Sequence, residues 1–380
     1  MPPPPDRLDP YDRILSEGIS QEESTMSASA SGARPACARC APRRGFLGAL
    51  GALGAAALLP GELLAQGAKK PGKPYRIDVH HHLMYPGYLE EVSGRRAGST
   101  FKWSPEMSLE DMDKSGIAVS VLSLIQPSAV TADLEKGRRI ARLSNEYGAQ
   151  LAHDNKGRFA SFATLPLLDT DGALKEIAYA LDTLKADGVG LMTSYQDKYL
   201  GDTAFAPVWE ELNRRKAVIY THPLSPDCCR NIKSEVPPAV VEYATDTTRT
   251  IASLVFSGTA ARYPGIRWIF SHSGGTMPFL LSRFTRHETD LKEKAAERMP
   301  KGLMYELRKF YYDTAQGNHA GALAALMKIV TPSQVLFGTD FPFRDGAEEI
   351  GGLTAFRFKP KDLRAIEREN ALKLMPTLKT

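Results

Sequence analysis

Residues 76–82 read Arg-Ile-Asp-Val-His-His-His, and the reading of this stretch decides the fold. The run Arg76–Val79 has the β-branched character of a strand. It ends in three imidazoles, not in the Gly-x-Gly-x-x-Gly that follows the first strand of an open dinucleotide-binding sheet. Side chains alternate along a strand, so His80 and His82 are expected to point one way and His81 the other. Two imidazoles two residues apart on an inward face can grip a single metal ion.

The same punctuation recurs downstream. Further strands are predicted near Val119–Leu124, Phe159–Thr164, Val189–Met192, Val218–Tyr220, Trp268–Phe270, Phe310–Asp313 and Val335–Phe337. Helical patterns lie between most of them, at Ser108–Ser115, Thr131–Ala152, Gly172–Ala186, Phe205–Lys216, Thr247–Tyr263 and Gly321–Ile329. Strand alternating with helix argues for an α/β protein with a parallel sheet. Eight such units suit a closed (β/α)8 TIM barrel, a fold of about 250 residues that extends to about 400 with insertions. The rival, an open doubly wound sheet, lacks its glycine fingerprint.

Polar residues fall at the strand ends. Strand five runs into Tyr220-Thr221-His222-Pro223, strand six into Phe270-Ser271-His272-Ser273, and strand eight into Gly338-Thr339-Asp340-Phe341. In a barrel all of these ends share the C-terminal face, where active sites of this fold are built. Five of the eight histidines of the chain lie in these tails. Each alone reads as a hydrogen-bonded structural residue or a turn former. Together, three neutral imidazoles and a carboxylate form a ligand set suited to zinc, and also to manganese or iron. His81 is expected to pack behind the site, His153 and His287 to face solvent, and His319 to cap a helix.

The 380 residues, at about 150 per domain, would suggest two or three domains. The composition is that of a globular chain, 43% hydrophobic and 24% charged. A net charge of +4 gives no electrostatic case for nucleic acid. Residues 1–42, however, are rich in Pro, Ser, Ala and Gly without any period, and are expected to be disordered. Arg43-Arg44-Gly45-Phe46-Leu47 and the weakly apolar run from Gly48 to Pro60 follow, with small residues to Ala65. That order is the anatomy of an export signal of twin-arginine type, with cleavage expected just after Ala65. The run is shorter than the roughly 20 apolar residues of a membrane span. The chain is therefore expected to divide into a leader at 1–66 and one barrel at 67–380, delivered by twin-arginine export machinery to the periplasm or outside the cell. Cys37 and Cys40 fall in the leader, which leaves Cys228 and Cys229 as adjacent free thiols.

As a set, IDVHHH, GVGLMTS, YLGDTAFAPVWEELNRR, YTHP, SGTAARYPGIRWIFSHSGGTMPFLLSRF, FYYDTA and VLFGTDFPF resemble the amidohydrolase superfamily. Within it they are similar to the amidohydrolase-related branch of aminocarboxymuconate-semialdehyde decarboxylase and the aromatic-acid decarboxylases. The match to 6-methylsalicylate-decarboxylase-like members, on DTTRTIASLVFSG and Cys228-Cys229, is looser. The resemblance implies one divalent metal, zinc first and manganese second, held by His80, His82, His222 and Asp340. It implies that His272 acts on substrate or water, that Asp340 carries a proton, and that the protein forms a homodimer. Strand four ends Gly190-Leu191-Met192-Thr193, where binuclear members carry a bridging Lys, so a single metal is favoured. The strand-six tail reads His272-Ser273-Gly274-Gly275 and not His-x-Gly-Glu, so no Glu assists His272 here.

The activity this implies is non-oxidative decarboxylation of a small aromatic or unsaturated carboxylic acid. Hydrolysis of a lactone or amide on the same site is the alternative, and an exported binding protein with a structural metal is a third reading. Arg95, Arg96, Arg249 and Arg283 are candidates to hold the substrate's carboxylate. Trp103 and Tyr85 are candidates for an aromatic wall or for packing between loop and barrel.

Overall fold

A computed structural model of the protein describes residues 74–92, 102–229 and 235–378. Eight parallel strands pair in chain order: β1 Arg76–Leu83, β2 Ile117–Leu124, β3 Phe159–Thr164, β4 Gly188–Met192, β5 Val218–His222, β6 Arg267–Phe270, β7 Tyr311–Asp313 and β8 Val335–Leu336. β8 is regular for only two residues, but the chain runs on beside β1 and closes the barrel. Val79 N donates to Phe337 O (3.0 Å), Asp340 N to His80 O (2.8 Å) and His82 N to Phe341 O (2.9 Å). The last metal-ligand candidate is thus stitched by backbone to the first.

The principal helices are α1 Pro105–Ser115, α2 Leu134–Asp154, α3 Thr170–Ala178, α4 Ala206–Arg214, α5 Pro238–Phe256, α6 Ala320–Met327 and α7 Gly346–Phe356. Their starts are chemically marked. Asp133, Asp169 and Asp345 accept from the backbone N–H groups of Lys136, Gly172 and Glu348, which satisfies donors left over at a helix N-terminus. Pro sits in the first turn of α1 and α5, where its missing N–H costs nothing.

Two apolar clusters organise the packing. The larger lies largely between strands and helices and includes Trp209, Leu212, Ile251 and Leu254. The smaller fills the barrel with Ile77, Val79, Val119, Val121, Phe162, Val218, Tyr220, Ile269 and Leu336. Phe162 and Tyr220 stack there at 5.3 Å. Gly188 makes room for them, because a Cβ on it would lie 3.0 Å from the Phe162 ring. Ala371, Leu374, Met375 and Leu378 join this cluster. Arg267, at the start of β6, binds Leu374 O, so the C-terminal segment seals the N-terminal end of the barrel.

Three elements differ from expectation. The helix expected over Gly172–Ala186 leaves α-geometry at Tyr179, where a π turn spans Tyr179–Thr183. The helix expected over Thr247–Tyr263 begins earlier, at Pro238, and breaks at Gly258, whose φ of 83° is left-handed. Helices Leu281–Leu291, Glu293–Arg298 and Leu303–Lys309 separate β6 from β7 and were not anticipated. The first buries only Phe284, with Leu281 and Leu291 partly buried beside it, so its apolar stripe is narrow and the rest of its surface is polar. No helix among the described residues is long and apolar enough to cross a membrane. The twin-arginine stretch, its cleavage point, Cys37, Cys40, Arg95 and Arg96 lie outside the described residues.

Candidate metal centre

Simple alternation would place Asp78, His80 and His82 on one face of β1. The register with β2 instead slips between Asp78 and His81, as at a β-bulge. Val79 therefore faces the barrel interior, and His80 follows it there with His82. Asp78 and His81 face outward and bind each other, Oδ2 to Nδ1, at 2.9 Å. His81 also meets Ser108 Oγ of α1 through Nε2 (2.8 Å) and stacks on Phe341. His81 is therefore a packing residue, as its sequence position suggested, and it locks the turn that aims its two neighbours.

His80, His82, His222 and Asp340 come together at the C-terminal end of the barrel, all buried, with one ligand atom from each within 4.8 Å of the others. Asp340 Oδ1 lies 3.0 Å from His80 Nε2, 2.9 Å from His82 Nε2 and 3.9 Å from His222 Nε2. Metal bonds of about 2.0–2.2 Å give ligand–ligand edges of about 3–3.5 Å, so the set fits one small divalent ion. His80 Nε2 is buried and makes no aligned hydrogen bond despite its nearness to Oδ1. A nitrogen left over in this way among convergent donors is what a metal would satisfy.

The remaining ring nitrogens of His222 and His80 fix their tautomers. His222 Nδ1 lies 2.9 Å from Pro223 O, so it carries the proton there and leaves Nε2 free. His80 Nδ1 lies 2.8 Å from Asp313 Oδ2, a fully buried pair. Asp313 was not singled out from sequence. It stands at the end of β7, and its other oxygen accepts from His272 N (2.9 Å) and Ala315 N (3.1 Å). The only available signal was its place at a fifth strand end, in FYYDTA.

Burial works against a charge on His80, but the Asp313 and Asp340 carboxylates outweigh it and hold its pKa up to about 10. Burial pushes His82 and His222 down. Burial also opposes ionisation of Asp340, yet the charge of His80 and hydrogen bonds from His222, His272 and His80 hold its pKa well below the usual carboxylate range. The centre is thus built to carry positive charge beside an ionised carboxylate.

His272 Nε2 stands 3.4 Å from Asp340 Oδ2, the other carboxylate oxygen, and its ring lies 5.1 Å from that of His80. Gln316 Nε2 donates to that same oxygen, and Gln316 N donates to the buried Glu349 (3.0 Å). His272, Ser273, Gln316 and Asp340 all have φ between 50° and 66°. Left-handed backbone at four non-glycine positions is costly and gathers at working sites.

Other expectations resolve here. His153 and His287 are exposed. His319 caps α6, accepting from Gly321 N. Strand four ends in the apolar Met192, with no Lys at its end to bridge two metals. Trp103 Nε1 binds Ser108 Oγ and Tyr85 OH binds Glu91, so both pack loop against barrel. Cys228 and Cys229 are free thiols, Sγ to Sγ 3.5 Å, and neither lines the cavity beside the metal ligands. That cavity, about 210 Å³, is floored by His222 and Asp340 and walled by Gln126, Tyr243, Phe343 and Arg344.

Comparison with known proteins agrees with this geometry. The model of the amidohydrolase family matches residues 77–377. The chain belongs to the amidohydrolase family. This amidohydrolase is 36% identical over 322 residues to decarboxylase macB of Penicillium terrestre, covering 79% of this chain and 95% of that one. It is 35% identical over 316 residues to the 6-methylsalicylic acid decarboxylase of Penicillium expansum, covering 80% and 97%. Among solved structures, the dihydroxybenzoic acid decarboxylase of Polaromonas sp. JS666, with bound manganese and 2-nitroresorcinol, shares the fold. Its TM-score is 0.71 at 21% identity, over 80% of this chain and 98% of that one.

Proposed function

We propose that this amidohydrolase is a metal-dependent carboxy-lyase that removes carbon dioxide, without oxidation, from a small aromatic carboxylic acid. The observation that carries the reading is the pairing of a four-residue metal-ligand set with a second face of Asp340, turned toward His272 beside a one-ring cavity. The similarity to named decarboxylases supports it. When bound, the divalent ion supplies Lewis acidity that polarises and orients an oxygen of the substrate.

The chain's own residues do the rest. His80, His82, His222 and Asp340 would hold the ion, and Phe343 and Tyr243 line the cavity where the ring would lie. Asp340 is ionised at rest, and a proton relayed from His272 passes through its Oδ2 to the ring carbon that bears the carboxylate. A C–H bond forms, the C–C bond to the carboxylate breaks and leaves its electron pair on the ring, and carbon dioxide departs. His272 restores the proton from solvent. One proton and the substrate anion go in, and neutral arene and carbon dioxide come out, so charge and atoms balance with no oxidant.

Hydrolysis of a lactone or amide is the second reading, because the same ligands would serve it. The ion is proposed as zinc, with manganese the alternative that the manganese-bound neighbour keeps in view. Metal analysis of gently purified protein, then reconstitution with each ion and assay against 6-methylsalicylate, 2,6-dihydroxybenzoate and a simple aryl lactone, tests these together. Carbon dioxide from an acid supports the lyase; acid formed from the lactone alone supports the hydrolase. We further propose that residues 1–66 are an export leader. Replacing Arg43 and Arg44 by Lys should trap the protein in the cytoplasm on fractionation, and sedimentation of the exported form tests the expected homodimer.

A further inference from the structure

We propose that Arg344 pairs with the substrate's carboxylate and so sets the preference of this centre for anionic, single-ring acids; the inference deepens the decarboxylase reading and rests on it. Four candidates for this role were visible in sequence, and neither of the two that are described lines the cavity. Arg249 and Arg283 are exposed elsewhere, and Arg95 and Arg96 lie outside the described residues. Among the described residues that line the cavity, Arg344 is the one permanent cation.

The chain delivers it there directly from the metal ligand. Phe343 N donates to Asp340 O (2.8 Å), a tight turn that brings Phe343 edge-on to His82 at 5.7 Å and leaves Arg344 at the cavity wall. The guanidinium is half exposed, and its carboxylate neighbour among the described residues is Glu348, at 3.6 Å. That distance exceeds a hydrogen bond, so the planar fork of donors is open to a bidentate carboxylate. The volume of about 210 Å³ lies below the range of about 300–1,000 Å³ that holds drug-sized ligands. One ring with small substituents is what it accommodates. Gln126 adds a polar atom to the wall, for its Oε1 is buried with no partner while its Nε2 donates to Tyr243 OH (3.1 Å).

Pairing with the carboxylate has a kinetic signature. The substrate enters as an anion and leaves as neutral carbon dioxide, so a cation beside that group holds the ground state at least as firmly as the transition state. Losing such a contact weakens binding and leaves the chemical step untouched. Arg344→Gln should therefore raise KM at least about tenfold with kcat within about twofold, the usual strength of a charge-assisted pair. Arg344→Lys should fall between, because a point charge replaces a fork.

The test uses the metal-loaded protein and two probes of one shape, benzoate and benzamide, titrated by calorimetry beside the kinetics. The wild type should prefer benzoate, and Arg344→Gln should lose that preference with benzamide affinity and melting temperature unchanged. A variant that binds both probes as the wild type does, or whose kcat falls at constant KM, overturns the role. If no acid yields carbon dioxide while benzoate binding still depends on Arg344, the decarboxylase reading fails and the anion subsite stands.

Discussion

The Asp313→Ala substitution probes how the metal centre is held. Asp313 and His80 are both fully buried, and their 2.8 Å contact is the bond that fixes the His80 ring and turns Nε2 toward the site. Without it, the imidazole loses its orienting acceptor and leaves a buried N–H unpaired, a cost of about 1–3 kcal/mol. Outer partners of metal-bound histidines are worth about 10–100-fold in affinity, or about 1.4–2.7 kcal/mol, which agrees with that cost. Because Asp313 also accepts from His272 N, the substitution should lower turnover beyond what the metal loss explains. Metal affinity is read by competition with a chromophoric chelator, and turnover is then measured at saturating metal. Asp313→Asn, which keeps the shape and an acceptor, should lie between. An Asp313→Ala protein that folds normally and binds metal within about twofold of wild type would refute the reasoning. His80 would then be held by packing against Tyr220 alone, or would not be a ligand.

Three further outcomes follow from the same contacts. Burial pushes the Glu349 carboxyl up to about 8, so the native state keeps a proton that the unfolded chain loses near 4.5. Stability should fall as pH rises through that window, by an amount on the order of a few kcal/mol, and Glu349→Gln should melt like wild type at pH 5 but higher at pH 9. A Cβ on Gly338 would lie 2.8 Å from His80 Cβ and 3.2 Å from Asp313 Cβ, so Gly338→Ala should cost about 1–3 kcal/mol in melting and weaken metal binding as well. Stripping the metal with a chelator should lower the melting temperature reversibly, since an ion at 1,000 times its dissociation constant contributes about 4 kcal/mol to the native state.

The barrel was legible because its strands are short β-branched runs set off by helices, and because chemistry sits at their ends. The candidate ligands were legible for a related reason: one His or Asp at a strand end reads as structural, but four strand ends on one barrel face agreed. What escaped the sequence was tertiary. Asp313 is one carboxylate among many until β7 places it against His80. Arg344 reads as a loop residue until the turn after Asp340 swings it to the cavity. The bulge in β1 escaped too, since alternation gave the right pair of histidines for a simpler reason than the one the register shows. The helices between β6 and β7 are dominated by charge, and only the narrow stripe of Leu281, Phe284 and Leu291 marks the first of them.

The most direct test is to run the metal-loaded protein on 6-methylsalicylate in D2O, following carbon dioxide and product mass together. Carbon protonation from Asp340 predicts one molecule of carbon dioxide per turnover and one deuterium on the ring carbon that lost it. Loss of both with Asp340→Asn completes the expected result. Product that carries solvent oxygen with no carbon dioxide, or full activity in Asp340→Asn, would contradict it.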